Sequence, residues 1–168
     1  MKQGAYQKQL ILYLKNKLYD RAYDFSQEYV NAYPKDMTAH FLLAKSAMAM
    51  AKYAEAAREA RVAFNHAHTP ADMIMCVIHA CIAYYRLKEY QKGFELLQST
   101  ENIRTCEETE QLFFLFSLAT GNDKEARRHF DEMFRIDDSA AKAFLSAVAE
   151  GVQIDYDKLA GNTDRFST

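Results

Sequence analysis

The chain has no tryptophan, and only two prolines and five glycines among its 168 residues. So few turn formers exclude a protein of many short strands, which needs Gly and Pro at most of its reversals. Valine and isoleucine are also scarce. The apolar 49% is drawn mainly from Ala, Leu, Tyr and Phe, a choice that favours helix over strand. No long hydrophobic run is present. The stretch from Leu10 to Leu14 stops at Lys15. It falls far short of the ~20 residues of a membrane span and of the ~7–15 apolar residues of a signal-peptide core. This points to a cytoplasmic chain with no membrane partner. Charge of one sign is missing too: the net charge is −2, which gives no electrostatic case for a nucleic-acid partner. Three cysteines, Cys76, Cys81 and Cys106, are an odd number without framework spacing, as expected of reduced thiols.

What the chain does have is a recurring signature. Tyr19-Asp20-Arg21-Ala22, Tyr53-Ala54-Glu55-Ala56, Tyr90-Gln91-Lys92-Gly93 and Asp123-Lys124-Glu125-Ala126 follow one another along it. The small residue that closes each block advances by 34, 37 and 33 positions. A period in this range marks a helical repeat array, in which each unit buries its apolar face against the next. Helices are expected at about Gln3–Asn16, Tyr19–Ala32, Met37–Met50, Tyr53–Asn65, Pro70–Leu87, Tyr90–Thr100, Glu107–Ala119 and Lys124–Arg135. Pro34 stops the second of these, since proline cannot continue a helix. Asp36 and Thr69 are N-cap candidates, with Pro70 in the first helical position and Gly121 as a left-handed C-cap. Ser139 is expected to cap a last helix that ends near Glu150, closed by Gly151. The connection Thr100–Thr105 is longer than the others.

The pattern resembles the tetratricopeptide repeat family from about Gln3 to Asp138. In the second unit, His40, Leu43-Ala44, Tyr53, Ala56 and Ala63 match the family's preferred positions. The first unit keeps Tyr6, Tyr19, Ala22 and Pro34. The third keeps Ala80-Cys81, Tyr84, Leu87 and Tyr90, with Gly93 where Ala is usual. The fourth keeps Gly121, Ala126 and Phe130. Leu10 and Phe114 stand where the family prefers a small residue. The resemblance implies an all-α right-handed α-solenoid of four helix pairs plus a capping helix. Residues 1–155 would form a single domain, with units at about 3–36, 37–70, 71–106 and 107–138 and the capping helix at about 139–150. Residues 156–168 would be a polar, frayed tail.

The resemblance also implies a function. Members of the family hold a protein or peptide partner on the concave face lined by the first helix of each pair. Carried over, that face presents Ile11, Lys15, Phe41, Lys45, Met48, Ile78, Ile82, Tyr85, Arg86 and Leu115, with Gln7, Met75, Gln111 and Phe116 beside them. The centre is apolar and the cations sit at the edges, which suits a segment anchored by a few hydrophobic side chains. The Lys/Asn clamp that one branch of the family uses for a partner's terminal carboxylate is absent. The same Met, Phe and Ile at helical spacing also fit a core. Self-association, with the groove or an end filled by another copy, is the alternative to a foreign partner.

Chemistry is poorly supported. Cys76 and His79 share a helix face and could approach a metal, but Cys81 points elsewhere and no second pair completes a shell. His66 and His68 form a loop pair without a carboxylate. Glu107, Glu108 and Glu110 open a helix, where they complement its dipole. Arg127, Arg128 and His129 are read as a solvated outer face. No Gly-rich phosphate loop or nucleophile motif is present. The chain is therefore expected to be no enzyme and to need no cofactor or metal.

Overall fold

A computed structural model describes residues 1–103, 106–150 and 164–166. Among the described residues every regular element is a helix. These are α1 Gln3–Lys15, α2 Tyr19–Ala32, α3 Met37–Ala49, α4 Tyr53–Asn65, α5 Pro70–Arg86, α6 Tyr90–Thr100, α7 Glu107–Ala119, α8 Asp123–Ile136 and α9 Asp138–Ala149. Each helix packs on the next, and α1, α3, α5 and α7 also touch one another in turn. The result is a right-handed solenoid of four helix pairs, with the odd-numbered helices as its inner row and α9 against α8 as a cap. No helix among the described residues is long and apolar enough to cross a membrane.

The turn inside each pair is built the same way. Lys17, Ala51, Lys88 and Gly121 take left-handed backbone angles, with φ of 57°, 57°, 59° and 71°. Around each, two backbone N–H groups reach back to close the first helix. Lys17 donates to the Leu14 carbonyl and Leu18 to Tyr13; Gly121 donates to Leu118 and Asn122 to Ser117. These paired hydrogen bonds satisfy carbonyls that the helix end leaves open. Only Gly121 adopts the conformation without a Cβ penalty.

Five residues further on lie Ala22, Ala56, Gly93 and Ala126, all buried where helices meet. Gly93 shows why size matters there. A Cβ added to it would lie 2.5 Å from the Phe116 ring. Glycine in place of the usual alanine thus lets that ring close over α6.

Three residues later again, the second helix of each pair meets its partner 19 positions upstream. The filler at this crossing changes from unit to unit. Tyr6 and Phe25 are rings with centroids 5.1 Å apart. His40 Nδ1 lies 2.7 Å from Glu59 Oε2. Val77 and Leu96 belong to one apolar cluster. His129 Nδ1 lies 2.5 Å from Glu110 Oε2. The two ion pairs occupy equivalent sites with donor and acceptor exchanged between helices.

Three expectations need correction. His129 is not solvated: it is buried, stacked on Phe113 at 4.0 Å and paired with Glu110, which is buried as well. Asp137, not Ser139, caps α9, accepting from the Ala140 N–H at 2.9 Å. A carboxylate one residue outside the helix reaches that orphan donor directly. Asp36 and Thr69 do cap α3 and α5, accepting from the Thr38 and Asp72 N–H groups. The third correction concerns the closing segment. Asp164 and Phe166 are packed against the inner row rather than frayed. The expectations for 104–105, Gly151, 156–163 and 167–168 lie outside the described residues.

Candidate functional site

The inner row is richest in unusual chemistry between α3 and α5. On α3, Phe41 and Lys45 are one turn apart and so share a face. On α5, Asp72, Met75, Cys76 and His79 repeat at helical spacing and meet them. The Phe41 ring lies edge-on to His79 with centroids 4.5 Å apart. Met37, Phe41, Ala63, Ala67, Met75 and Cys76 form one apolar cluster beneath this face.

Three residues from far along the chain are seated on it. Asp164 places Oδ2 2.5 Å from Lys45 Nζ and 3.6 Å from His79 Nε2, and its side chain is 3% exposed. Its other oxygen accepts from the Phe166 N–H at 2.8 Å, which folds the segment into a tight turn. Lys45 Nζ also donates to the Phe166 carbonyl at 3.4 Å. The Phe166 ring lies 5.6 Å from Phe41. Arg165 Nη1 reaches Asp72 at 2.8 Å, and its guanidinium covers the Phe166 ring at 4.8 Å. One lysine thus grips a carboxylate and a backbone carbonyl, while an aromatic fills the apolar floor. Such paired and desolvated charges are favourable only where geometry and further hydrogen bonds offset desolvation, as they do at Asp164. A cleft of about 570 Å³ opens beside Arg165 and Asp72, bordered by Tyr33, Pro34, His66 and His68.

The other residues marked by the sequence are dispersed. Ile11 is half-buried and Lys15 exposed on α1. Met48 is half-buried beside the central cluster. Ile78 and Ile82 are buried in that cluster, 0% and 1% exposed, so they serve helix packing rather than an open groove. Their helix lies between α4 and α6, and the apolar side chains drop into that junction. Gln111 and Phe116 are buried as well. Tyr85 is half-buried, edge-on to Tyr90 at 5.5 Å and Phe116 at 6.1 Å, with Leu115 close by. Arg86 is exposed. Phe41 is 0% exposed as well and belongs to a core cluster rather than an open groove, touching this face through its contact with Phe166; Lys45 lies beside it, and the remainder are apart. Asp72, His79 and the Asp164–Phe166 segment escape a reading of the sequence by register. The one hint of the segment is an aromatic beside Asp and Arg within an otherwise polar stretch.

The remaining polar groups are structural in geometry. Both ring nitrogens of His40 face acceptors, Glu59 on one side and the Pro34 carbonyl at 2.9 Å on the other. The protonated ring, with hydrogen on both nitrogens, satisfies both acceptors. The hydrogen bond to Glu59 accordingly raises the His40 pKa above its ordinary value, and that same bond lowers the Glu59 pKa. Burial pushes the Cys76 thiol up to about 12 and drives Cys81 up as well. Neither is a thiolate at neutral pH. No group of three His, Cys, Asp or Glu among the described residues is placed to hold a metal.

The fold is similar to that of solved tetratricopeptide repeat proteins. Solved structures similar to it include MamA, at 16% identity and a TM-score of 0.72, covering 95% of this chain and 90% of that one. YrrB, described as a TPR protein with an unusual peptide-binding site, matches at 16% identity and 0.68, covering 95% and 84%. TTC0263, a thermophilic TPR protein of Thermus thermophilus, matches at 16% and 0.65, covering 86% and 80%. At such identities the likeness establishes the fold. No family model matches the chain, and no curated protein matches it.

Proposed function

We propose that the protein is a non-catalytic interaction module that holds a partner's peptide segment on its concave inner face, centred on α3 and α5. The observation that carries this reading is the seating of Asp164–Phe166 against Lys45, Phe41, His79 and Asp72, with Asp164 buried, Phe166 half-buried and Arg165 at the surface. A surface that takes a carboxylate, an aromatic ring and a backbone carbonyl from three consecutive residues has the attributes of a peptide site: charge-assisted anchors around a hydrophobic floor. The peptide-binding site ascribed to YrrB, a protein of the same fold, agrees with it. In this reading Ile11, Lys15, Met48, Tyr85, Arg86 and Leu115 border the groove and contact flanking parts of the partner.

Display of a random peptide library against the full chain tests the reading. Enriched peptides should lose at least about tenfold in affinity when Lys45 is changed to Ala, as expected for loss of a desolvated charge anchor. Peptides that bind Lys45→Ala and Arg86→Ala chains as well as the unaltered one would place recognition off this face.

A further inference from the structure

We infer that the partner's segment carries an Asp-x-Phe-like pattern, a carboxylate two residues before an aromatic, and that Asp164–Phe166 is a built-in competitor for it. The inference rests on the peptide-groove reading and deepens it. Its ground is the chemical division of labour on the face. Lys45 and His79 converge on one carboxylate oxygen, at 2.5 and 3.6 Å. Phe41 receives the ring, and Lys45 also takes the carbonyl of the same aromatic residue. The spacing of two is set by the bond from the Phe166 N–H to Asp164, which brings carboxylate and ring to the same side of the turn. Asp72 adds a preference for a cation at the position between them, as Arg165 supplies here. A segment with an amide in place of the carboxylate would leave the half-buried Lys45 beside a neutral group. One with an aliphatic side chain would leave the Phe41 floor poorly covered.

Because the competitor is part of the chain, it acts at an effective concentration of order millimolar. An external segment must displace it, so the accessible fraction of the groove sets the apparent affinity. The occupant in the resting protein is thus the chain itself, and the functional occupant is a segment of the same chemistry on another protein.

The probe is a labelled synthetic peptide of sequence Gly-Asn-Thr-Asp-Arg-Phe-Ser-Thr, which copies residues 161–168. Fluorescence anisotropy compares three full-length chains: unaltered, Asp164→Asn with Phe166→Ala, and the latter with Lys45→Ala added. Circular dichroism checks that each is folded, and Asp164→Asn alone serves if the double change is unstable. The peptide should bind the released chain at least about tenfold more tightly than the unaltered one. Adding Lys45→Ala should abolish that gain, and a probe with Asn for Asp and Ala for Phe should bind neither. Equal binding to unaltered and released chains would overturn the competitor role and leave the groove reading standing. Binding to no chain would overturn the Asp-x-Phe chemistry, while the library display decides separately whether the groove binds peptides. An unaltered chain that is dimeric by light scattering and becomes monomeric on release would show the segment seated in a second copy, and would overturn the intramolecular arrangement.

Discussion

The inner face between α3 and α5 and the inner face between α5 and α7 come from the same repeat, yet they end differently. Steps of the repeat place Ile11, Lys45, Ile82 and Leu115 at one equivalent position, and Gln7, Phe41, Ile78 and Gln111 at another. Where the set offers Lys45 and Phe41, the face takes up Asp164 and Phe166. Where it offers Ile82 and Ile78, both side chains are buried and the junction is filled from within by Phe116, Tyr85 and Tyr90. Gly93 is the device that allows this, since no side chain stands between α6 and the Phe116 ring. The same apolar types at the same register thus become either floor or core. A charge that demands a partner, set against a missing Cβ that draws a ring inward, decides between them.

The largest change that sharpens this contrast is Phe41→Ala. The ring is fully buried between His79, the apolar cluster and Phe166, so its loss should cost ~3–5 kcal/mol in chemical denaturation. A cost below about 1 kcal/mol would mean that the α3–α5 floor is open. Next is Gly93→Ala. Its Cβ meets the Phe116 ring far inside contact distance and should overpack by ~1–3 kcal/mol. Ala56→Leu at the equivalent position of the second unit should cost about the same. Unaltered melting of Gly93→Ala would break the claim that the α5–α7 side is closed from within.

A pH series isolates the His40–Glu59 crossing. The His40 pKa is raised above its ordinary 6.5, so its contribution is complete below 6.5 and is lost as pH climbs through the folded value. The Glu59 pKa is lowered below 4.5, so its contribution is complete above 4.5 and is lost as pH falls through the folded value. The melting difference between the unaltered chain and Glu59→Gln should therefore be greatest between pH 4.5 and 6.5 and shrink on either side. A difference that is flat from about pH 4 to about pH 9 would contradict the pairing. The smallest effect is expected at Ala51→Gly, which relieves a left-handed alanine and should stabilise by about 0.5–1 kcal/mol after the added chain entropy is counted. Destabilisation there would show that the turn tolerates a Cβ at no cost.

The repeat is legible in the sequence because it is a local, periodic property: Tyr53 and Ala56, or Pro70 and Thr69, announce their helices without reference to anything distant. The left-handed turns at Lys17, Ala51 and Lys88 are not, because no residue there carries a turn preference; only Gly121 does. Glu110 and His129 look solvent-facing in the sequence because each stands among charged neighbours. Their 19-residue separation, shared with His40 and Glu59, is the sign that they meet. On the candidate site, register alone marks Phe41 and Lys45. Ile78 and Ile82, marked by the same register, are core, since register fixes which way a side chain points but not how closely the next helix lies. The Phe166 contact spans 121 positions from Lys45 and follows no period, so no repeat pattern could announce where that segment docks.

A double-mutant cycle between Lys45 and Asp164 tests most directly whether that segment occupies the α3–α5 face. Unfolding free energies of the full chain, Lys45→Ala, Asp164→Ala and the double variant would be measured at one low protein concentration. The buried contact at 2.5 Å predicts that the single costs fail to add, with a coupling of ~0.5–3 kcal/mol. Costs that add to within about 0.3 kcal/mol would contradict the seating of the segment on this face.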